Sequence, residues 1–211
     1  MLIFICLCSW SLTGVFGDEV KSVSVMEGDS VTLTPNDADI KGENLIMWRF
    51  GHNSLIVKIN RNDNKRQFPD ERFRDRLKLD QTGSLTITNT RITDSGLYQV
   101  LGTSKDTPVS IFNITVYAHL PVPVISNSSS SSQQNCSLLC SVVNVSDVTL
   151  SWYKGNSLLS SISVSDLNRS LSLHLECLDD SYSCVVNNPI SNQTQHLNTE
   201  LCQPCSGMSV I

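Results

Sequence analysis

Short stretches in which apolar and polar residues alternate run along most of the chain. Examples are VKSVSV, SVTLTP, LIMWRF and SIFNITVYA before residue 118, and PVISNS, SLLCSVV, VTLSWYK and SYSCVVN after it. Successive side chains along a β-strand point to opposite faces of the sheet, so one face can be apolar and the other polar. Turn-forming residues separate these stretches. The pattern therefore predicts an all-β fold of antiparallel strands. It is interrupted at YAHLPVP, where two prolines predict a short, stiff joint.

The joint divides the chain into two predicted domains, residues 18–118 and 119–205, followed by a tail at 206–211. In the second domain, Cys140 is followed by Trp152 and then by Tyr182 and Cys184. This order is typical of an immunoglobulin-like sandwich, in which a disulfide joins the two sheets beside a buried tryptophan. The short spacing from Cys140 to Cys184 favours a constant-like sandwich of about seven strands.

The first domain has the same pattern without the two sulfurs. Asp94, Gly96 and Tyr98 form the motif that opens strand F of a variable-type domain, but Val100 stands where the cysteine is expected. On the predicted strand B, Pro35 occupies the partner position. The wide spacing between these two positions predicts a variable-type domain with extra strands C′ and C″ and a core held by apolar packing around Trp48, with an ion pair between Arg76 and Asp94.

Four further cysteines follow the joint. Cys136 precedes one strand and Cys202 ends the predicted last strand at the same end of the sandwich, which favours a second bridge between them. Cys177 and Cys205 stay open between a third bridge, a buried thiol and an intermolecular bond. A zinc site built from the cysteine pairs is disfavoured because it would remove Cys140 from Cys184. We expect no metal and no cofactor.

Residues 1–17 form one apolar run that ends in small residues, which predicts a cleaved signal peptide. Sequons for N-glycosylation occur at six asparagines, which are Asn113, Asn127, Asn135, Asn144, Asn168 and Asn192. Together they indicate a glycoprotein of the secretory pathway, placed outside the cell or on the outer side of the plasma membrane. No later stretch predicts a membrane span or a lipid anchor.

Charge and composition argue against several functions. The net charge of −5 gives no electrostatic reason to expect nucleic-acid binding. The four histidines have no metal-ligand spacing, and no serine lies in a nucleophile elbow, so neither an enzyme nor a small-molecule substrate is expected. The first domain holds 13 of the 15 basic residues, and five of the six sequons lie in the second. We therefore expect recognition by the first domain and a glycosylated spacer in the second.

These features together resemble the signalling lymphocytic activation molecule (SLAM) family of leukocyte receptors, and most closely its short ligand-type members, which lack a signalling tail. The resemblance rests on the paired Pro35 and Val100 replacement and on the motifs NCSLLC, YSCVVNNPIS and LCQPC. It implies an immune-cell adhesion module that binds a SLAM-family receptor, either homophilically or heterophilically, through the G-F-C-C′ face of the first domain. The chain departs from the family in showing no anchor, and a soluble decoy or truncated isoform is the alternative.

Strand parity predicts which side chains point outward from that face. If Trp48, Tyr98 and Val100 point inward, the predicted contact set is Met47, Arg49, Ile56, Lys58, Gln99, Leu101 and Ile111. An ordinary solvated sheet face is the alternative. A glycan at Asn113 would lie on the same sheet and confine contact to its far end. The charged stretch 61–76 is predicted to be either a hydrophilic sheet edge or a patch that steers association.

Overall fold

The computed structural model describes residues 20–36, 40–103, 107–128, 136–165 and 167–206. The predicted signal peptide, the sequon at Asn135 and most of the predicted tail lie outside these residues.

The described residues of the first domain form nine strands and two short 3-10 turns. The strands are β1 Val20–Met26, β2 Val31–Leu33, β3 Leu45–Phe50, β4 Ser54–Asn60, β5 Lys65–Gln67, β6 Leu77–Leu79, β7 Leu85–Ile87, β8 Gly96–Gly102 and β9 Ser110–Tyr117. One sheet has the order β1-β9-β8-β3-β4-β5 and the other β2-β7-β6. This is the variable-type arrangement, in which β4 and β5 are the extra strands C′ and C″.

Apolar side chains fill the centre of this sandwich, and none of the three disulfides lies there. Trp48, Tyr98 and Val100 are fully buried, and the Trp48 indole N–H donates to the carbonyl of Gly83 at 3.0 Å. The Trp48 and Phe112 rings lie 5.6 Å apart. Pro35 is also buried, two residues after β2 ends, so it removes no hydrogen bond from the ladder.

Arg76 and Asp94, the predicted ion pair, are both buried, with relative exposures of 6% and 3%. Arg76 donates to the carbonyl of Arg72 at 3.0 Å, and Asp94 accepts from the amide of Arg91 at 2.9 Å. Their pairing with each other stays a prediction.

The described residues of the second domain form seven strands, in agreement with the predicted sandwich of about seven. They are β10 Val124–Asn127, β11 Cys136–Ser141, β12 Thr149–Lys154, β13 Ser157–Ser163, β14 Ser170–Leu175, β15 Tyr182–Asn188 and β16 Ser191–His196. One sheet has the order β10-β11-β14 and the other β13-β12-β15-β16. In a constant-type domain the fourth strand extends the first sheet, whereas β13 here pairs with β12 at the edge of the second.

The last strand differs from the prediction. Residues around HLNTEL were expected to form it, but β16 ends at His196 and Thr199–Leu201 is a 3-10 turn. The Asn198 side chain caps this turn by accepting from the amide of Glu200 at 3.0 Å. A side-chain cap of this kind gives the backbone a partner outside the sheet, which ends the strand early.

Three disulfides lie in the second domain. Cys140–Cys184 joins the sheets beside the fully buried Trp152, and Cys136–Cys202 is the second bridge, with Cα atoms 6.4 and 5.7 Å apart. The remaining two cysteines, Cys177 and Cys205, form a third bridge with a Cα separation of 4.9 Å, which decides between the three alternatives for them. All six cysteines beyond residue 8 are therefore oxidised.

The chain divides into two compact units. The first contains Thr32–Ile87 and Gly96–Ile114 together with the chain up to Val23. The second contains Ser24–Val31, Thr88–Ser95 and the chain from Thr115 onward. The face analysed below lies entirely within the first unit.

The uneven distribution of sulfur predicts an uneven response to reductant. Closing the 44-residue span between Cys140 and Cys184 stabilises by about 4 kcal/mol in the loop-entropy model. We expect a thiol reductant to unfold the second domain while β1 to β9 stay folded. Limited proteolysis with mass mapping, before and after reduction, measures this. Loss of the first domain at the same reductant concentration would contradict it.

Candidate recognition face

Strand pairing places six of the seven predicted side chains on one face of the large first-domain sheet, and five of them are exposed there. Met47 pairs with Lys58, Arg49 with Gln99, and Gln99 with Ile111. Residues paired across neighbouring strands point to the same side, opposite to the buried Trp48. All five are partly exposed. This surface, with the further residues named below, is called the recognition face.

The prediction for Ile56 is wrong. It is fully buried, at 0% exposure, and the register between β3 and β4 shifts at Trp48 and Arg49. Trp48 pairs with Val57 and Arg49 with Leu55, so Ile56 is an extra residue in a β-bulge. The bulge reverses the parity before it, and Leu55 takes the outward position that simple alternation gave to Ile56.

Leu101 differs from its prediction in another way. Its pairing with Met47 places it on the predicted side of the sheet, but only 4% of its surface is exposed. It lies one residue beyond the ladder between β8 and β9, which ends at the pair Val100–Ser110, and Met47 on β3 is its ladder partner. Leu101 therefore supports the face from within and offers almost no contact area.

Glu43, which sequence reasoning missed, holds the end of the face near Leu101. It is buried, and its carboxylate accepts a hydrogen bond from the amide of Thr103 at 2.6 Å. A Cβ built on Gly102 would lie 2.5 Å from the Glu43 side chain, so a larger residue there would displace that carboxylate. A buried acid with a glycine 59 positions away leaves no local sequence pattern that would reveal the contact.

The register extends the face to further residues. Asn60 pairs with Lys65, Lys58 with Gln67, and Leu97 with Asn113. The outward set is Leu45, Met47, Arg49, Leu55, Lys58, Asn60, Lys65, Gln67, Leu97, Gln99, Leu101, Ile111 and Asn113. It contains three basic residues and no acidic one, so the face is cationic and partly apolar.

Much of the charge in the stretch 61–76 is used inside the fold. Arg61 donates to the carbonyl of Ile40 at 3.1 Å, and Arg66 donates to that of Leu79 at 2.8 Å. Arg74 pairs with Glu71 at the surface. These contacts favour the reading of this stretch as a hydrophilic edge, and they leave Arg49, Lys58 and Lys65 as the cations that the face presents.

A cluster around Asp70 stabilises one end of the face, where β4 begins. Asp70 accepts from the Ser54 hydroxyl at 2.9 Å and pairs with Arg72 at 2.6 Å. The Arg72 guanidinium lies 5.1 Å from the centroid of the Phe50 ring, a cation–π distance. Hydrogen bonds from Arg72 lower the pKa of Asp70 from 3.8 to about 2, against a smaller opposing effect of desolvation.

Five sequon asparagines are described, and all five are exposed. Asn113 lies on the recognition face beside Leu97. Asn127 differs from the others because its amide donates to the carbonyl of Leu201 at 2.6 Å. Asn144 and Asn168 lie outside the strands, and Asn192 lies on β16. Occupancy of these sites stays a prediction.

The described residues contain neither a candidate metal cluster nor a candidate membrane-spanning helix. No group of three or more histidine, cysteine or acidic side chains there could hold a metal ion. In the same residues, no helix has the length and apolar character needed to cross a membrane.

The fold is a tandem pair of immunoglobulin-like sandwiches, and the immunoglobulin V-set domain family matches residues 19–118. The first domain is thus a V-set immunoglobulin domain. No curated protein matches the chain.

Solved structures resemble the chain at low sequence identity, which shows the fold alone. The CD2-binding domain of CD58 is 20% identical, with a TM-score of 0.64, and the match covers 84% of this chain and 96% of that one. Murine CEACAM1b is 18% identical, with a TM-score of 0.61 and coverages of 81% and 91%. The ectodomain of mouse nectin-like molecule 4 is 16% identical, with a TM-score of 0.61 and coverages of 88% and 66%.

The low pKa of Asp70 predicts a pH-dependent contribution to stability. A carboxyl whose pKa is depressed by folding stabilises fully above its unfolded pKa of 3.8, and the contribution is lost as the pH falls toward 2. We expect Asp70→Asn to cost on the order of 1 kcal/mol at pH 7, after screening by solvent. Urea unfolding at several pH values should show the two proteins converging near pH 2.

Arg72, which pairs with Asp70, provides the control for this experiment. Arg72→Met removes the main cause of the shift, so it should cost a similar amount, and the double variant should cost little more than either single one. Additive losses would show that the Asp70–Arg72 pair does not act as a unit.

Proposed function

We propose that the protein is an immune-cell recognition and adhesion molecule, placed outside the cell, whose first domain binds a SLAM-family receptor through the recognition face. The observation that carries the proposal is the composition of that face. It combines basic and apolar side chains on a flat, partly exposed sheet surface, without an acidic residue. Depletion of acidic residues and enrichment in arginine and methionine are typical of protein interfaces.

The architecture also supports this proposal. The face belongs to a V-set domain held by apolar packing, and a domain with three disulfides follows it. One structure of similar fold is named as a domain that binds CD2, and another is a nectin-like ectodomain. The paired replacement at Pro35 and Val100 and the cysteine motifs of the second domain favour the SLAM family among immunoglobulin-like receptors.

The charge of the face favours a heterophilic partner with an acidic surface. A homophilic complex through this face would bring the cations Arg49, Lys58 and Lys65 toward those of the second copy. Like charges at an interface cost several kcal/mol and slow association. An acidic partner face would pair with the same three cations and would orient the complex.

The Asn113 sequon sets the position of the partner on the face. Asn113 pairs with Leu97 and lies diagonally from Gln99. A glycan there would cover the neighbourhood of Leu97, which is 38% exposed. The partner is therefore expected to contact the other part of the face, around Met47, Arg49 and Lys58.

Charge reversal tests the face directly. We expect Arg49→Glu combined with Lys58→Glu to abolish binding to a SLAM-family receptor and to leave the melting temperature within about 2 °C, because exposed charges contribute little to folding. Surface plasmon resonance against a panel of SLAM-family ectodomains, with this chain included, measures binding. Lys78→Glu is the matched control, because Lys78 is exposed on β6, in the other sheet.

Three outcomes would contradict parts of the proposal. Retained binding by the double variant would exclude the recognition face. Equal loss with Lys78→Glu would indicate a general charge effect. Binding of the chain to itself alone, abolished in the double variant, would exclude the acidic heterophilic partner and leave the family assignment standing.

Salt provides an independent test of the electrostatic argument. Charges separated by more than a Debye length are screened as salt rises, and the association rate of a steered complex falls. Between 50 and 500 mM salt we expect the association rate to fall roughly tenfold and the dissociation rate to change less. An unchanged association rate would show that the three cations do not steer the encounter.

A further inference from the structure

The edge strand β13 of the second domain differs in chemistry from the other sheet edges. It runs from Ser157 to Ser163 with the sequence SLLSSIS, which contains no charged residue and no proline. In the described part of the chain it pairs only with β12, so the backbone groups on its other side have no strand partner. Leu158 and Leu159 on it are 57% and 45% exposed.

Exposed strand edges template pairing with other chains, and natural proteins protect them with charge, proline, short length or covering groups. The other described edges have such protection or, in the second domain, sequons whose glycans would cover them. Lys21 lies on β1, two basic residues on β5 and Lys78 on β6, and β2 has only three residues. In the second domain, sequons lie on β10 and β16, and a third lies two residues before β14. On β13 the only such feature is a β-bulge at Leu159, where the register with β12 shifts.

The outward face of the same sheet is also free of charge. The strand pairings place these side chains on it: Thr149, Ser151, Tyr153, Leu158, Ser161, Ser163, Ser183, Val185, Asn187, Asn192, Thr194 and His196. None is Asp, Glu, Lys or Arg. Lys154, a cation at the end of β12, pairs with Asp179 at 2.5 Å. A sheet extended beyond β13 would bring no unpaired like charges together.

We propose that β13 is a self-association edge, at which two copies of the chain pair antiparallel through their β13 strands. A second copy is the occupant that the chemistry favours. Antiparallel pairing of one strand with itself produces a twofold, isologous interface, and the absence of charge removes any repulsion between identical strands. Pairing would satisfy the open backbone groups, cover Leu158 and Leu159, and join two four-stranded sheets into one of eight.

The expected strength follows from the size of the contact. A single pair of seven-residue strands buries less than the roughly 1,200 Å² of a stable interface. The dimer is therefore weak, with a dissociation constant on the order of 10⁻⁵ M or higher. It would become populated where copies are concentrated.

Sedimentation velocity of the glycosylated chain, from about 1 to 500 µM, tests the proposal. We expect the weight-average mass to rise toward that of a dimer for the unaltered chain. It should stay monomeric for Leu158→Lys, which places a like charge on both sides of the twofold axis. Val143→Lys is the matched control, because Val143 is 64% exposed in the same domain and lies outside β13. It should dimerise as the unaltered chain does.

Hydrogen exchange gives a second measurement that does not depend on a variant. The outward amides of β13 should exchange more slowly at high protein concentration than at low, whereas those of β16 should not change. A monomer throughout the concentration range, or unchanged β13 exchange in a dimer, would overturn the proposal. So would a dimer that persists in folded Leu158→Lys.

Receptor binding separates this inference from the proposed function. Leu158→Lys should bind a receptor captured at low density as the unaltered chain does, whereas Arg49→Glu with Lys58→Glu should dimerise normally. Each proposal can therefore fail while the other stands.

Discussion

The burial of Trp48 between the two sheets of the first domain is the constraint on which the recognition face depends. Its indole N–H bonds to the Gly83 carbonyl and its ring packs near Phe112, so the side chain has one allowed direction. With Trp48 inward, Met47 and Arg49 must point outward, and the ladder transfers that choice to Lys58 and Gln99. A domain without a core disulfide thus orients the outward face of its large sheet through a single tryptophan.

The alternation of inward and outward side chains explains which residues of the recognition face the sequence could predict and which it could not. Alternation along β3, β8 and β9 identified the inward and outward residues because these strands pair without a shift. It failed on β4, where a bulge inserts Ile56 and exchanges its role with Leu55. A bulge depends on the pairing of two strands, so the alternation of either strand alone does not reveal it. Leu101 failed for another reason, since burial depends on neighbours as well as on direction.

The strand topology shows the same limit. The cysteine and tryptophan spacing predicted a seven-stranded sandwich and two of its bridges, because a disulfide and a buried indole leave a strong pattern. The segment SLLSSIS alternates poorly, so its pattern alone does not predict a strand. Its pairing with β12 places it in the second sheet, and this placement creates the uncharged edge.

The two domains therefore present surfaces of opposite character from similar sandwiches. On the first, Arg49, Lys58 and Lys65 create a field that opposes a second copy and attracts an acidic surface. On the second, the outward sheet face has no charge, and its edge offers backbone groups that any strand of suitable shape can pair. Charge can select between partners at long range, whereas backbone pairing is short-ranged and selects little by sequence. A molecule built in this way would assign selectivity to the first domain and clustering to the second.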